Sequence, residues 1–230
     1  MARQERAIRT RRAVLEAAAK VFADCGYAAA TVADILKVAG TTKGGLYFHF
    51  DSKEALARGI IEAQVEQPLP PQDLKIQEWV DQGMLLAYQL PRDPVVHAGA
   101  VLSSDPRGRE HYGSAWPDLV QRSVRTLSEA KERGEVLGHI VPQQTGELLA
   151  SAFHGVQLFS QLETGLQDVE HRISALYQHM MPTIATPAVL TRLDLSADRG
   201  ARLNAQLREA AEEQATAAAR AAEETAPVAG

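Results

Sequence analysis

Residues 31–53, TVADILKVAGTTKGGLYFHFDSK, decide how the chain is to be read. Thr31 has the side chain of a helix N-cap, and Val32, Ile35 and Leu36 fall on one helical face behind it. Gly40 supplies a tight turn, because a left-handed backbone costs glycine little. Thr41 or Thr42 then caps a second helix carrying Lys43, Gly44, Gly45, Leu46, Tyr47, Phe48 and His49. Asp51 or Ser52 caps a third, with Lys53 in its first turn. Two short helices about a glycine turn are the outline of a helix-turn-helix, whose second helix enters the major groove of DNA.

The residue types suit that use. Lys43 reaches a base edge or a phosphate, Thr42 bonds to either, and Gly44 and Gly45 let the backbone approach. Tyr47 offers a hydroxyl one turn on, and Lys53 places a charge at a helix N-terminus, itself a phosphate site. A packed helical hairpin with a surface lysine satisfies the same spacing.

Working outward, residues 1–12 hold Arg3, Arg6, Arg9, Arg11 and Arg12 against Glu5. They read either as a solvated end or as an arm that touches phosphates beside the second helix. From there to Ala23 the apolar residues Ala7, Ile8, Val14, Leu15, Ala18, Val21 and Phe22 recur near a helical period, and Gly26 ends the helix. Cys25, on the apolar side of that helix, reads as a small core hydrophobe. It is the one cysteine, so an internal disulfide and a multi-cysteine zinc site are excluded.

Beyond Phe50 a helix from about Ser52 to Gln67 is long enough to leave this module. It stops at Pro68-Leu69-Pro70-Pro71, the clearest boundary in the chain. Amphipathic helices follow over 72–91, 95–102, 118–133, 142–163 and 169–180, punctuated by Pro91, Pro94, Pro117, Gly134, Pro142 and Pro182, with a surface loop expected over 103–112. No stretch alternates like a strand, so the chain is expected to be all-α. Three segments are expected: a helix-turn-helix domain over 1–51, a helical ligand-binding and dimerisation domain over 52–195, and a tail over 196–230. The tail is rich in Ala, Arg and Glu with few large apolar residues. It is expected to be partly helical, mobile and without a site of its own.

The 230 residues are 45% hydrophobic, enough for a packed core. No apolar run approaches the roughly 20 residues of a membrane span. The N-terminus is charged from its third residue with no apolar segment after it, so no signal peptide is expected. These features suit a reducing cytoplasm, without a membrane partner. The net charge is −5, yet residues 1–64 carry ten Lys and Arg against seven Asp and Glu, leaving the excess of acid to the rest. A mildly basic module on an acidic body is what a DNA reader with a separate regulatory domain shows. Modest phosphate contact per module implies a dimer. The wide apolar faces of the helices over 142–163 and 169–180 could meet their copies in a four-helix bundle, or fill the monomer core. There is no HExxH, GxSxG or P-loop, His171 and His179 have no local third ligand, and no cofactor or catalytic residue is expected.

The N-terminal third also resembles a family, the TetR-type transcriptional regulators. The resemblance lies in Arg12-Ala13-Val14-Leu15-Glu16-Ala17-Ala18, Phe22 and Gly26-Tyr27. It continues through Thr31-Val32-Ala33-Asp34-Ile35, Ala39-Gly40, Thr42-Lys43-Gly44, Leu46-Tyr47-Phe48-His49-Phe50 and Lys53-Glu54. The opening MARQERAIRTR and the run Tyr47-Phe48-His49-Phe50 are similar to one branch, the γ-butyrolactone autoregulator receptors of Streptomyces-type bacteria. Thr41 stands where that pattern commonly has valine, and Gly45 where it has alanine or serine. A second glycine lowers helix propensity by about 1 kcal/mol relative to Ala. The resemblance implies a dimeric repressor that binds a pseudo-palindromic double-stranded operator and is released by a small γ-butyrolactone-like effector. On motif and resemblance together, the DNA-contacting residues are expected to be Arg3, Arg6, Arg9, Thr31, Thr41, Thr42, Lys43, Gly44, Gly45, Tyr47, His49 and Lys53.

An effector would be enclosed by aromatic and polar residues from several helices. Gln64, Trp79, Tyr88 and Trp116 are candidates, with Phe153, His154 and Gln157 further on. Each also reads as ordinary packing or as a buried polar group satisfied locally. In the lactone-receptor branch an inward tryptophan lies over the ligand, and Trp116 matches it best by position. Relatives in that branch also answer antibiotics or biosynthetic intermediates.

Overall fold

In a computed structural model, the structure describes residues 2–65 and 69–224; the side chains of 2–6 and 218–224 lie outside the described set. The elements are α1 (Ala2–Ala29), α2 (Val32–Ala39), α3 (Lys43–Tyr47), α4 (Lys53–Val65), α5 (Lys75–Gln89), α6 (Pro94–Ser103) and α7 (Arg109–Tyr112). They continue as α8 (Trp116–Glu132), α9 (Pro142–Thr164), α10 (Val169–Met180), a 3₁₀ turn (Met181–Thr183), α11 (Pro187–Leu190) and α12 (Arg199–Glu224). Among the described residues, strand-like pairing is confined to one isolated antiparallel bridge between Val136 and Ala185. The protein is all-α, as its periodicity predicts.

Two apolar clusters organise the helices. In the first, Val14, Ala18 and Phe22 of α1 close on Ile35 of α2, Leu46 of α3 and Leu56 and Ile60 of α4. Ala98 and Leu102 of α6 and Tyr112 of α7 belong to the same cluster. The expected division at residue 51 falls within the span of this cluster. The helix after it shares a core with the helix-turn-helix, because Leu56 and Ile60 close the floor of that small domain. The second cluster joins Trp79 and Met84 of α5, Leu127 of α8, Phe153 of α9 and Ile173 and Tyr177 of α10. Helix α6 thus braces α1 and α4 at the base of the body.

Three further expectations change. Ile8 of α1, which the helical period had placed on the apolar face, is exposed. Cys25 is exposed too: Gly26 (φ 75°) kinks α1 immediately after it, and a groove opens beside both. Its thiol donates to Val21 O at 3.1 Å. The segment after 196 is not a free tail at its start. Arg199 makes two hydrogen bonds, of 2.9 and 2.6 Å, to the fully buried carboxylate of Asp81 on α5. Leu203 is fully buried, and a β-carbon at Gly200 would lie 2.2 Å from Met84 O. Only beyond these turns is α12 largely exposed, along residues 208–217.

Candidate nucleic-acid interface and effector chamber

The helix-turn-helix is locked by its own caps. Thr31 Oγ1 accepts from Asp34 N at 3.2 Å, and Asp34 Oδ2 accepts from Thr31 N at 3.2 Å, a reciprocal capping box. Gly40 has φ 60° and ψ 30°, the left-handed geometry that ends α2 and turns the chain. Thr42 Oγ1 caps α3 by accepting from Gly45 N at 3.2 Å. Leu46, fully buried, fixes α3 against α1 and α2. This leaves Thr42, Lys43, Gly44, Tyr47 and Phe48 exposed together on one short helix and its cap. Lys43 Nζ lies 5.9 Å from the Tyr47 ring centroid. Thr31 is exposed at the head of α2, Thr41 and His49 are half-buried, and Arg9 is exposed on α1. Arg3 and Arg6 fall within α1, but their side chains lie outside the described residues.

Two residues change the expected surface. Phe48, absent from the expected contacts, is 79% exposed with its ring edge-to-face on His49 at 5.0 Å. The ring stands exposed between Tyr47 and His49 on the same face of the module. Lys53 turns inward. Its ammonium donates to Tyr27 O at 2.8 Å and Ala30 O at 2.9 Å, and sits 4.2 Å from the Tyr27 ring centroid. The end of α1 presents carbonyls, and a cation there completes them. Lys53 ties α4 to α1, and its role as a phosphate ligand is corrected to that extent.

In the body, α5, α8, α9 and α10 line a mostly apolar chamber that is open to solvent and has a cavity volume of about 70 Å³. Trp79, Phe153 and Trp116, all expected, line it together. The indole of Trp79 donates to Ser123 Oγ. Tyr177 of α10 is wholly buried, its hydroxyl has no hydrogen-bond partner among the described residues, and it also lines the chamber. That oxygen lies where Gly83 has no side chain; a β-carbon there would be 2.2 Å away. Burial, then the charge of Asp81, push the Tyr177 phenol above its ordinary range, so it is a hydrogen-bond donor at neutral pH.

The other expected ligand residues do not converge on this space. Gln64 is buried at a smaller cavity beside α4, with an unpartnered Oε1; Gln82, Leu86 and Leu119 are walls common to both cavities. His154 lies outside the chamber, its ring edge-to-face on Trp116 at 5.0 Å. Gln157 is half-buried on α9, outside the chamber lining. Tyr88 faces the other way: its Cβ lies beside Gly200 of α12, and the Arg92 guanidinium stacks on its ring at 4.1 Å. One helix cannot point both Trp79 and Tyr88 at one cavity, because nine residues advance the helix by two and a half turns.

Among the described residues no helix is long and apolar enough to cross a membrane, and no cluster of three metal-ligating side chains occurs. Residues 14–60 match the bacterial regulatory proteins of the tetR family. The chain is 36% identical over 226 residues to the A-factor receptor protein of Streptomyces griseus, covering 97% of this chain and 80% of that one. It superposes on full-length TylP, a TetR regulator from Streptomyces fradiae, with a TM-score of 0.82 and 36% identity over 87% of this chain and 98% of that one. A structure describing the control of antibiotic production by bacterial hormones aligns with a TM-score of 0.69 and 29% identity, over 78% of this chain and 99% of that one.

Proposed function

Because this chain belongs to the tetR family of bacterial regulatory proteins, we propose that it is a dimeric repressor of secondary metabolism, released from its operator by a small, largely apolar effector of γ-butyrolactone or related type. The observation that carries the effector is the chamber. It is walled by Trp79, Trp116 and Phe153, and the buried phenol hydroxyl of Tyr177 has no hydrogen-bond partner among the described residues. A ligand carbonyl would accept from that hydroxyl while its hydrocarbon displaces water from the apolar walls.

On the DNA side, Thr42, Lys43, Gly44, Gly45, Tyr47 and His49 carry base and phosphate contacts in this reading, with Phe48 beside them and Thr31, Thr41 and Arg9 at the edges. Dimerisation is supported by α9. Leu148, Leu158, Phe159 and Leu162 stand at least half exposed along it, whereas Leu149 and Phe153 of the same helix are buried. An apolar stripe of that kind on the outside of a helix fits a copy of itself across a two-fold axis. Two recognition helices would then read half-sites one DNA turn apart. An effector in the chamber alters operator affinity only through its different affinity for the two dimer shapes.

The test is a titration of DNA upstream of the protein's own gene, with and without a synthetic γ-butyrolactone. Sequence-specific binding that the lactone abolishes supports the reading. Binding that the lactone leaves intact, while an antibiotic or biosynthetic intermediate abolishes it, replaces the effector class and keeps the repressor.

A further inference from the structure

Two hydroxyls in the chamber lining carry a hydrogen without an acceptor among the described residues. The first is that of Tyr177. The second is that of Ser123 on α8, a buried residue of the same lining. The indole Nε1–H of Trp79 donates to Ser123 Oγ. An indole nitrogen is a donor only, so this bond fixes the serine as the acceptor, and its own hydrogen needs another partner. Its neighbours on α8 spend theirs locally: Thr126 Oγ1 donates to Arg122 O at 3.1 Å and Ser128 Oγ to Val124 O at 2.8 Å, each one turn back along the helix. With its oxygen turned to Trp79, Ser123 makes no such bond.

Each of these hydroxyls also stands beside a glycine of the lining. A β-carbon at Gly83 would lie 2.2 Å from the Tyr177 hydroxyl oxygen, and one at Gly146 would lie 3.3 Å from Ser123 Oγ. Helices α5 and α9 thus leave room against both donors that a larger residue would fill. Trp79 ties the two together: its ring meets the Tyr177 ring edge-on, 6.1 Å between centroids, while its N–H engages Ser123. The remaining polar side chains of the lining point their N–H groups elsewhere, Gln82 to Thr126 Oγ1 at 3.1 Å and Trp116 to Ser103 O at 3.2 Å. The lining residues include no charged side chain.

We propose that Ser123, turned by the Trp79 indole, is the second donor of the effector site, and that with Tyr177 it selects a neutral ligand bearing two carbonyl oxygens. The proposal rests on the reading of the chamber as the effector site. A carbonyl oxygen accepts a bond and has no hydrogen of its own to place, so two of them satisfy both hydroxyls. A ligand with a single carbonyl leaves one buried hydroxyl unpaired. A charged ligand would lose water without meeting an opposite charge in the lining. Leu86, Leu119 and Ala150 of the lining are half-exposed and the space is open to solvent, so a hydrocarbon tail can run out along them while the two oxygens stay on the buried donors.

The experiment titrates the full-length protein by calorimetry with two lactones. In 2-hexanoyl-γ-butyrolactone the ring and the side chain each carry a carbonyl; in 2-hexyl-γ-butyrolactone the ring alone does. The wild type is expected to bind the first about tenfold more tightly. Ser123→Ala should bring that ratio to within about twofold, and so should Trp79→Phe, which keeps the serine but frees it to donate along its own helix. The ratio is read because a change that merely loosened the chamber would weaken both lactones alike. Equal binding of the two lactones by the wild type overturns the proposal while leaving the chamber as the effector site. A wild-type ratio in Ser123→Ala overturns it too, and a wild-type ratio in Trp79→Phe overturns the orienting role of the indole. Should Ser123→Ala fail to fold, the wild-type ratio and Trp79→Phe still decide. Binding of neither lactone by the wild type refutes the effector reading itself, and the pair of donors with it.

Discussion

A β-carbon on Gly45 would stand 2.7 Å from the hydroxyl oxygen of Thr41, so the side chain at 41 fills the space left empty at 45. These are the two positions at which the sequence departs from the family pattern, and the structure makes them one departure. Gly45→Ala alone should gain little of the roughly 1 kcal/mol of helix propensity available, because Thr41 must move. The double variant Thr41→Ala/Gly45→Ala should realise it. A double-mutant cycle by urea unfolding is expected to give a coupling of about 0.5–1 kcal/mol, and additivity would refute the compensation.

Two lysines of the same module should separate cleanly. Lys53→Met keeps the stem but leaves the carbonyls of Tyr27 and Ala30 without their donor, and should cost about 1–3 kcal/mol of stability. Lys43→Met, on an exposed side chain, should change stability by no more than about 0.5 kcal/mol while weakening operator binding. Urea denaturation and a DNA-binding titration on both variants check the pair.

Tyr177→Phe removes a buried hydroxyl that has no hydrogen-bond partner among the described residues. Thermal unfolding should show the variant more stable by about 1 kcal/mol, since an unsatisfied buried polar group is a cost. The same variant should need more effector to leave the operator. A wild-type effector response would remove Tyr177 from the ligand contacts.

Arg199→Met strands the Asp81 carboxylate in the core, and should cost about 3–5 kcal/mol, as breaking one side of a buried pair does. Removing both charges, in Asp81→Leu/Arg199→Leu, should recover most of that loss. If Arg199→Met unfolds in urea like the wild type, the docking of α12 on α5 contributes nothing.

Burial holds the His154 imidazole below its ordinary value. The unfolded chain therefore takes up the proton first as pH falls, and protonation favours unfolding. Stability should be fully present above about pH 6.5 and decline as pH drops from there toward the depressed folded value. His154→Phe should flatten that part of the profile, measured by thermal midpoints between about pH 7.5 and 5.5. An unaltered slope would place the titration on another histidine.

The turn at Gly40, the caps at Thr31 and Thr42 and the breaks at Pro94, Pro142 and Pro182 were legible because each acts within a few residues of itself. Lys53 was not. A lysine three residues past a turn looks like any surface cation until α1 brings the carbonyls of Tyr27 and Ala30 over it. The effector chamber was legible in part. Trp79, Trp116 and Phe153 stand out by type, but Tyr177 reads as one more residue on an apolar face, and Tyr88 has the same chemistry as a true lining residue while facing α12.

The sequence by itself determined the helical class, the helix-turn-helix and its capping, because hydrophobic period, glycine and proline geometry and capping hydrogen bonds are local. Tertiary structure alone decided which helices share a core, that α12 docks through Arg199 on Asp81, which side of Trp116 faces the chamber, and that Thr41 and Gly45 fill one space. Those outcomes depend on contacts between residues far apart in the chain, and on the orientation each helix takes when its apolar face is buried, which no window of residues contains.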